Sequence, residues 1–290
     1  MKTSIVLSTH QARFNAVAFK GDFEDNVRKI AELGYDGVEL AIRDPNLVDA
    51  DALLAGTEAH GLEVPAIGTG QAWGEEGLSF TDPEESVRKA AIRRVCDHVP
   101  FASRTGAAII IGLLRGIVKP GVEHEQAYAW MVDALRRCSA AAAPHGVRLA
   151  LEPINRYETS LINSVPECLA LIDAVGAGNF GVLADTFHMN VEDASMAGSL
   201  RQAGARLFHV HFADSNRWYP GAGHIDFAEL VRTLREIGYK GYISIEAVPM
   251  PDADTCARES VKTLQRLLAQ ALYLPGEIDL PSGSSQAEDK

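Results

Sequence analysis

Glu152, Asp185, His211 and Glu246 stand at the ends of four successive apolar runs, RLALEP, FGVLAD, LFHVHF and GYISIEA. They are separated by 33, 26 and 35 residues, close to the roughly 30 residues of one parallel strand plus its helical crossover. That spacing puts all four side chains on one rim of a parallel barrel. Three carboxylates and one imidazole suit Mn2+ or Mg2+, with Co2+ tolerated. A structural zinc site would use thiolates or more imidazoles. Four protein ligands in an octahedron leave two open positions, enough for a 2-keto-3-hydroxy sugar to chelate. The ion would then act as a Lewis acid on a developing enediolate. Glu152 and Glu246 come from the fifth and eighth strands and can flank one carbon. Moving a proton from one face of that carbon to the other needs two such groups; the alternative is that both are ligands only. A lone acid at a strand end is ordinarily a helix cap or a solvated loop residue. Caps are more often Ser, Thr or Asn, so four of these residues in four consecutive units argue for a metal site.

The elements that must carry these residues follow from hydrophobic periodicity. Strands are expected at 4–8, 37–42, 63–69, 107–113, 148–153, 180–185, 207–212 and 241–247. Amphipathic stretches separate them: Phe23, Val27, Ile30 and Leu33 share one helical face, and Gly34 ends that helix. Gly34, Gly61, Gly106, Gly146 and Gly238 each precede a strand and fit left-handed positions just past a helix. Eight such units predict an α/β fold, a (β/α)8 TIM barrel whose active site lies at the C-terminal strand ends. An open doubly wound sheet would gather its site at one crevice and would carry GxGxxG after the first strand, which is absent. One barrel domain is expected over 1–274, followed by a mobile acidic tail at 275–290.

A hydrophobic content of 47% supports a large core, and the net charge of −12 gives no general attraction for phosphate backbones. No nucleic-acid partner is therefore expected. Cys96, Cys138, Cys168 and Cys256 lie far apart without CxxC spacing, which fits buried thiols in a reducing compartment. No run approaches the roughly 20 apolar residues of a membrane span, and no signal peptide is visible, so a cytoplasmic protein with no membrane partner is expected.

The segments LEPINRYETSLINS, LADTFHMNVED, HVHFADSNRWYPGAGHIDF and SIEAVP resemble the xylose-isomerase-like barrel superfamily, and within it the D-tagatose (D-psicose) 3-epimerase family. IRDP, AIGTGQAW, IIIGLLRG and ADSNRWYPGAGHIDF are most similar to the 5-keto-L-gluconate epimerase branch, which interconverts that keto-uronate with D-tagaturonate. The resemblance implies Mn2+ or a similar ion on Glu152, Asp185, His211 and Glu246, acid/base roles at C3 for Glu152 and Glu246, and a cis-enediolate between them. It implies that Glu158 bonds a terminal substrate hydroxyl and that His188 and Arg217 hold the C2 oxygen. It also implies a homo-oligomer, dimer or tetramer. A keto-uronate carries a carboxylate, for which Arg43, Arg115 and Arg156 are the candidate partners; pairing with neighbours such as Asp44 is the ordinary alternative. Trp73 and Phe14 could stack on the sugar or pack over the barrel mouth.

The rival readings are a 3-epimerase of free ketohexoses such as D-tagatose and D-psicose, an aldose–ketose isomerase, an inosose dehydratase, and a non-catalytic sugar-binding barrel. A DNA-repair endonuclease would need more His ligands and a basic face.

Overall fold

The computed structural model describes residues 1–271; the expected tail at 275–290 lies outside the described residues. Eight parallel strands form the wall of a barrel: β1 (Lys2–Ser8), β2 (Gly37–Ala41), β3 (Ala66–Gly68), β4 (Ala108–Ile111), β5 (Leu149–Leu151), β6 (Phe180–Asp185), β7 (Leu207–Phe212) and β8 (Tyr242–Ile245). Each pairs with the next, and β1 pairs with β8, where Ser4 lies opposite Ser244, so the sheet closes. A two-residue strand, Phe19–Lys20, adds to β1 beyond the expected set. Several strands are shorter than the apolar runs that announced them, and Glu152 and Glu246 are the first residues past β5 and β8. Among the described residues no helix is long and apolar enough to cross a membrane.

Among the described residues, eleven α-helices lie between and after the strands. Those that matter to the site are α3 (Gln71–Glu76), α7 (Val165–Val175) and α8 (Thr186–Glu192), together with the closing helix α11 (Ala253–Gln270). The five glycines expected to end helices all have positive φ. All four cysteines are free and helical, and three are buried.

Alternation along the strands separates two cores. Ile109 and Ile111 of β4 face the helices with Leu149, Leu151 and Val182. Ala108 and Ile110 face inward, where they meet Ala66, Ala150 and Leu183. This apolar filling comes from β3 to β6. The other half of the interior is polar at its base, where Ser4, Glu39, His209 and Ser244, on β1, β2, β7 and β8, are all buried, with Val6 and Ala41 next along β1 and β2 toward the mouth.

The ladder between β6 and β7 contains a bulge. Val182 lies opposite Leu207, yet the next residue, Leu183, lies opposite His209. Phe208 is the extra residue and packs against the inner apolar cluster. Gly181 makes room for it, because a Cβ there would come within 2.6 Å of both the Phe208 ring and the Arg206 carbonyl. Beyond the bulge the register is regular and sets Asp185 beside His211. Gly181→Ala is expected to destabilise the protein by about 1–3 kcal/mol through overpacking. Gly178→Ala, whose Cβ meets open space, serves as the neutral control in the same denaturant titration.

Candidate metal centre

The four residues singled out by spacing converge. One donor atom from each of Glu152, Asp185, His211 and Glu246 lies within 4.8 Å of the others. His211 Nδ1 is central: it is 3.6 Å from Glu152 Oε1, 3.7 Å from Asp185 Oδ2 and 3.8 Å from Glu246 Oε2. Glu152 Oε1, Asp185 Oδ2 and His211 Nδ1 are buried and have no hydrogen-bond partner. Buried polar atoms are normally paired, so three orphans facing one point mark a place for a cation.

Asp185 corrects one expectation. It is a helix cap: its Oδ1 accepts the backbone N–H groups of Phe187 (2.7 Å) and His188 (3.2 Å) at the start of α8. Capping and metal binding are not exclusive, because the cap uses one oxygen and leaves Oδ2 directed at the cluster.

The electrostatics point the same way. Two like charges about 4 Å apart repel by ~4 kcal/mol at an effective dielectric of 20, so two buried carboxylates and a largely buried third need a positive partner. Without a metal ion, protons fill that role. Burial raises the Glu246 pKa well above the usual carboxylate range, and the Glu152 and Asp185 charges add to this against the pull of His211 and Arg217. Burial alone would lower His211, but Glu39, Glu246 and the other carboxylates raise it well above its ordinary value. Burial would raise Asp185, yet His188 and His211 hold it at about 2.

Above the cluster opens a cavity of about 280 Å³, near the lower end of the ~300–1,000 Å³ typical of small-molecule sites and of a size for one monosaccharide. Its lining includes Glu152, Glu246, His211, His188, Glu158, Arg217, Trp73 and Phe14.

The chain matches the family model described as "Xylose isomerase-like TIM barrel" over residues 27–267. It is 33% identical over 220 residues to an L-ribulose 3-epimerase of Methylomonas sp. (strain DH-1), covering 75% of each chain. It belongs to the xylose isomerase-like TIM barrel family. Within that family it falls among the sugar epimerases, enzymes of the isomerase class. A 3-dehydro-D-guloside 4-epimerase of Escherichia coli (strain K12) is 27% identical over 262 residues, with 87% of this chain and 97% of that protein covered. The crystal structure of D-psicose 3-epimerase with D-tagatose from Clostridium cellulolyticum H10 superposes with a TM-score of 0.80 at 24% identity, over 92% of this chain and 99% of that one, a likeness of fold.

The remaining residues of this epimerase cavity separate into those the structure brings together and those it does not. His188 is buried, and its Nδ1 receives the Asn155 side-chain amide at 2.8 Å and the Asn155 backbone N–H at 3.4 Å. A nitrogen that accepts twice carries no proton when the ring is neutral, so the hydrogen sits on Nε2. That atom has no partner and lies 4.0 Å from Glu152. Glu158 Oε1 accepts from Asn155 (2.9 Å) and from Arg217 Nη1 (3.0 Å). Arg217 adopts a left-handed backbone, φ 62°, unusual for a non-glycine residue. Its loop is held by buried Asp214, which accepts the backbone N–H groups of Ser215, Gly221 and Ile225. The guanidinium lies between Phe14 and Phe187, 5.3 and 4.9 Å from their ring centres, and 3.7 Å from Glu246. Trp73 and Phe14 are half-buried in the cavity wall.

None of the three arginines that were candidates for one substrate-carboxylate contact lines this cavity. Arg115 is fully buried, and its guanidinium donates to the carbonyls of Gly112, Glu152, Leu161 and Ile162; its donors tie loops together. Arg43 is held by Glu75 (2.9 Å) and lies 3.1 Å from Glu76. Arg156 forks onto Glu192 at the surface. Arg13, which sequence reasoning passed over, does line the cavity. Glu39, also passed over, lies against the far side of His211; a single acid inside the apolar run GVELAI was the available signal. Because His211 and Glu246 must release protons to admit a cation, divalent-ion affinity is expected to rise with pH. Calorimetric Mn2+ titrations near pH 6 and pH 8, in buffers of different ionisation enthalpy, should report tighter binding and less proton release at the higher pH.

Proposed function

We propose that this protein is a divalent-metal-dependent sugar 3-epimerase acting on a ketose or keto-uronate. The observation that carries the reading is the convergence of Glu152 and Glu246, from β5 and β8, on one cation site at the base of a sugar-sized cavity. The oxygen-rich donor set favours Mn2+, with Mg2+ or Co2+ as substitutes. When bound, the ion supplies Lewis acidity to the substrate carbonyl and lowers the energy of the enediolate. One glutamate takes the C3 proton, and the other returns a proton to the opposite face. His188 Nε2–H donates to the C2 oxygen as charge develops there. Arg217, balanced by Glu158 and Glu246, adds positive charge on the same side, and Glu158 retains acceptor capacity for a terminal hydroxyl. The C3 assignment draws support from the relative named L-ribulose 3-epimerase. The relative named a 3-dehydro-D-guloside 4-epimerase supports a second reading, the same proton chemistry beside a C3 carbonyl, which product analysis separates.

The finer reading is a keto-uronate, 5-keto-L-gluconate with D-tagaturonate. Among the described residues no carboxylate pairs with the Arg13 guanidinium, so it is free to receive an acidic group. Its loop is pre-set: Lys20 Nζ donates to the carbonyls of Ala12 and Phe14, and the Arg13 N–H donates to Glu75 at 3.2 Å.

Epimerisation by the Mn2+-loaded protein in D2O should place solvent deuterium at C3 of the product, and Glu152→Gln and Glu246→Gln should each lower kcat by about 10²–10⁴. A product without deuterium at C3 would count against the two-base route. Arg13→Ala should raise KM for 5-keto-L-gluconate about tenfold, the lower end for a bond to a charged group, and leave D-tagatose and D-psicose nearly unaffected. Equal changes on acidic and neutral sugars would remove Arg13 from substrate recognition.

A further inference from the structure

We propose that Glu39 and His209 are positioning residues that lock His211 as an Nδ1 metal ligand; the inference rests on the reading of the four-residue cluster as a cation site. Glu39 is 1% exposed and lies inside the barrel on β2. His211 Nε2 is 3.1 Å from both of its oxygens, and His209 Nε2 is 2.8 Å from Oε2. A carboxylate offers no hydrogen, so both imidazoles must donate through Nε2. The Nε2 edge of His211 is thereby committed to Glu39, and the Nδ1 lone pair is left facing Glu152, Asp185 and Glu246.

The two histidines differ in role. The His209 and His211 rings meet edge to face, with centres 5.3 Å apart and planes at 82°. His209 thus supports the His211 ring sterically and supplies Glu39 with a second donor. Without His209, the Glu39 carboxylate would keep His211 as its one side-chain donor and would be free to turn, which loosens the hold on the His211 ring.

Glu39, His209 and His211 themselves come close enough to hold an ion. Their contacts are hydrogen bonds already made. The unpartnered atoms lie on the other edge of His211, at Glu152 Oε1, Asp185 Oδ2 and Nδ1. The cation belongs there, and Glu39 acts on it only through the ring.

The test is Mn2+ affinity measured by calorimetry on the full-length protein, with urea stability in EDTA measured in parallel. Glu39→Gln should weaken Mn2+ binding by about 10–100-fold, and His209→Gln should weaken it less. At saturating Mn2+, KM for the sugar should stay within a few-fold of wild type, since His209 does not line the cavity and Glu39, at its floor, is only 1% exposed. A folded Glu39→Gln protein with wild-type Mn2+ affinity would overturn the proposal, whatever happened to its stability. If that variant does not fold, ¹⁵N spectra of His211 in the Mg2+-loaded wild type decide the matter. A proton on Nε2 with a metal-shifted Nδ1 supports the lock, and a proton on Nδ1 overturns it. Absence of divalent-ion binding by the wild type would instead sink the cation-site reading itself.

Discussion

Three carboxylates held within 4.8 Å of one imidazole nitrogen, at the floor of a cavity where water is scarce, form an arrangement that is unfavourable unless something positive sits among them. The rest of the upper barrel answers to that constraint. Cationic side chains are kept at measured distances: Arg217 stands 3.7 Å from Glu246 and is itself balanced by Glu158. Arg115 comes closer to Glu152 but meets its backbone carbonyl, not its carboxylate. A lysine or arginine brought fully onto the cluster would satisfy it permanently and displace an ion. The fold instead leaves three buried atoms unpaired, a cost that only a small, exchangeable cation or protons can relieve.

The surrounding loops show how such a field is contained. Glu75 and Glu76 hold Arg43, Glu192 holds Arg156, and four backbone carbonyls hold Arg115. With these charges engaged, the donors left to a substrate would be the His188 Nε2–H and the guanidinium groups of Arg217 and Arg13. The first two lie close to where an enediolate would form, and Arg13 is on a pinned loop toward solvent. On the proposed function, charge stabilisation near the reacting carbons and recognition of a remote group would fall to different elements and could vary separately.

The parts of this design carried by periodic signals were legible in the sequence. Alternation and spacing gave the eight strands, the closed sheet and the four residues at its rim. The same reasoning misjudged residues whose roles depend on where the chain returns. Arg115 follows β4 on the correct rim, but nothing in IIIGLLRG reveals that the carbonyls of Leu161 and Ile162 fold back to cap it. Asp185 was set apart from caps because capping and ligation looked like rival roles, whereas a carboxylate has an oxygen for each. Glu39 and His209 were hidden by lying within strands, where local sequence does not say which of eight neighbours an inward side chain will meet. The bulge at Phe208 was hidden as well, since one extra residue in an apolar run leaves no mark on its hydrophobicity.

The layering of the barrel interior also imposes an order of arrival. Below His211 and Asp185, each 1% exposed, the axis is filled by Glu39, His209 and the wedged ring of Phe208. An ion therefore approaches the cluster from above, through the space that a sugar would occupy. On the proposed function, metal would enter first and sugar second, and a seated sugar would close the exit behind the ion. Turnover would then protect the enzyme from chelators: the resting protein would give up its metal more readily than one kept saturated with substrate.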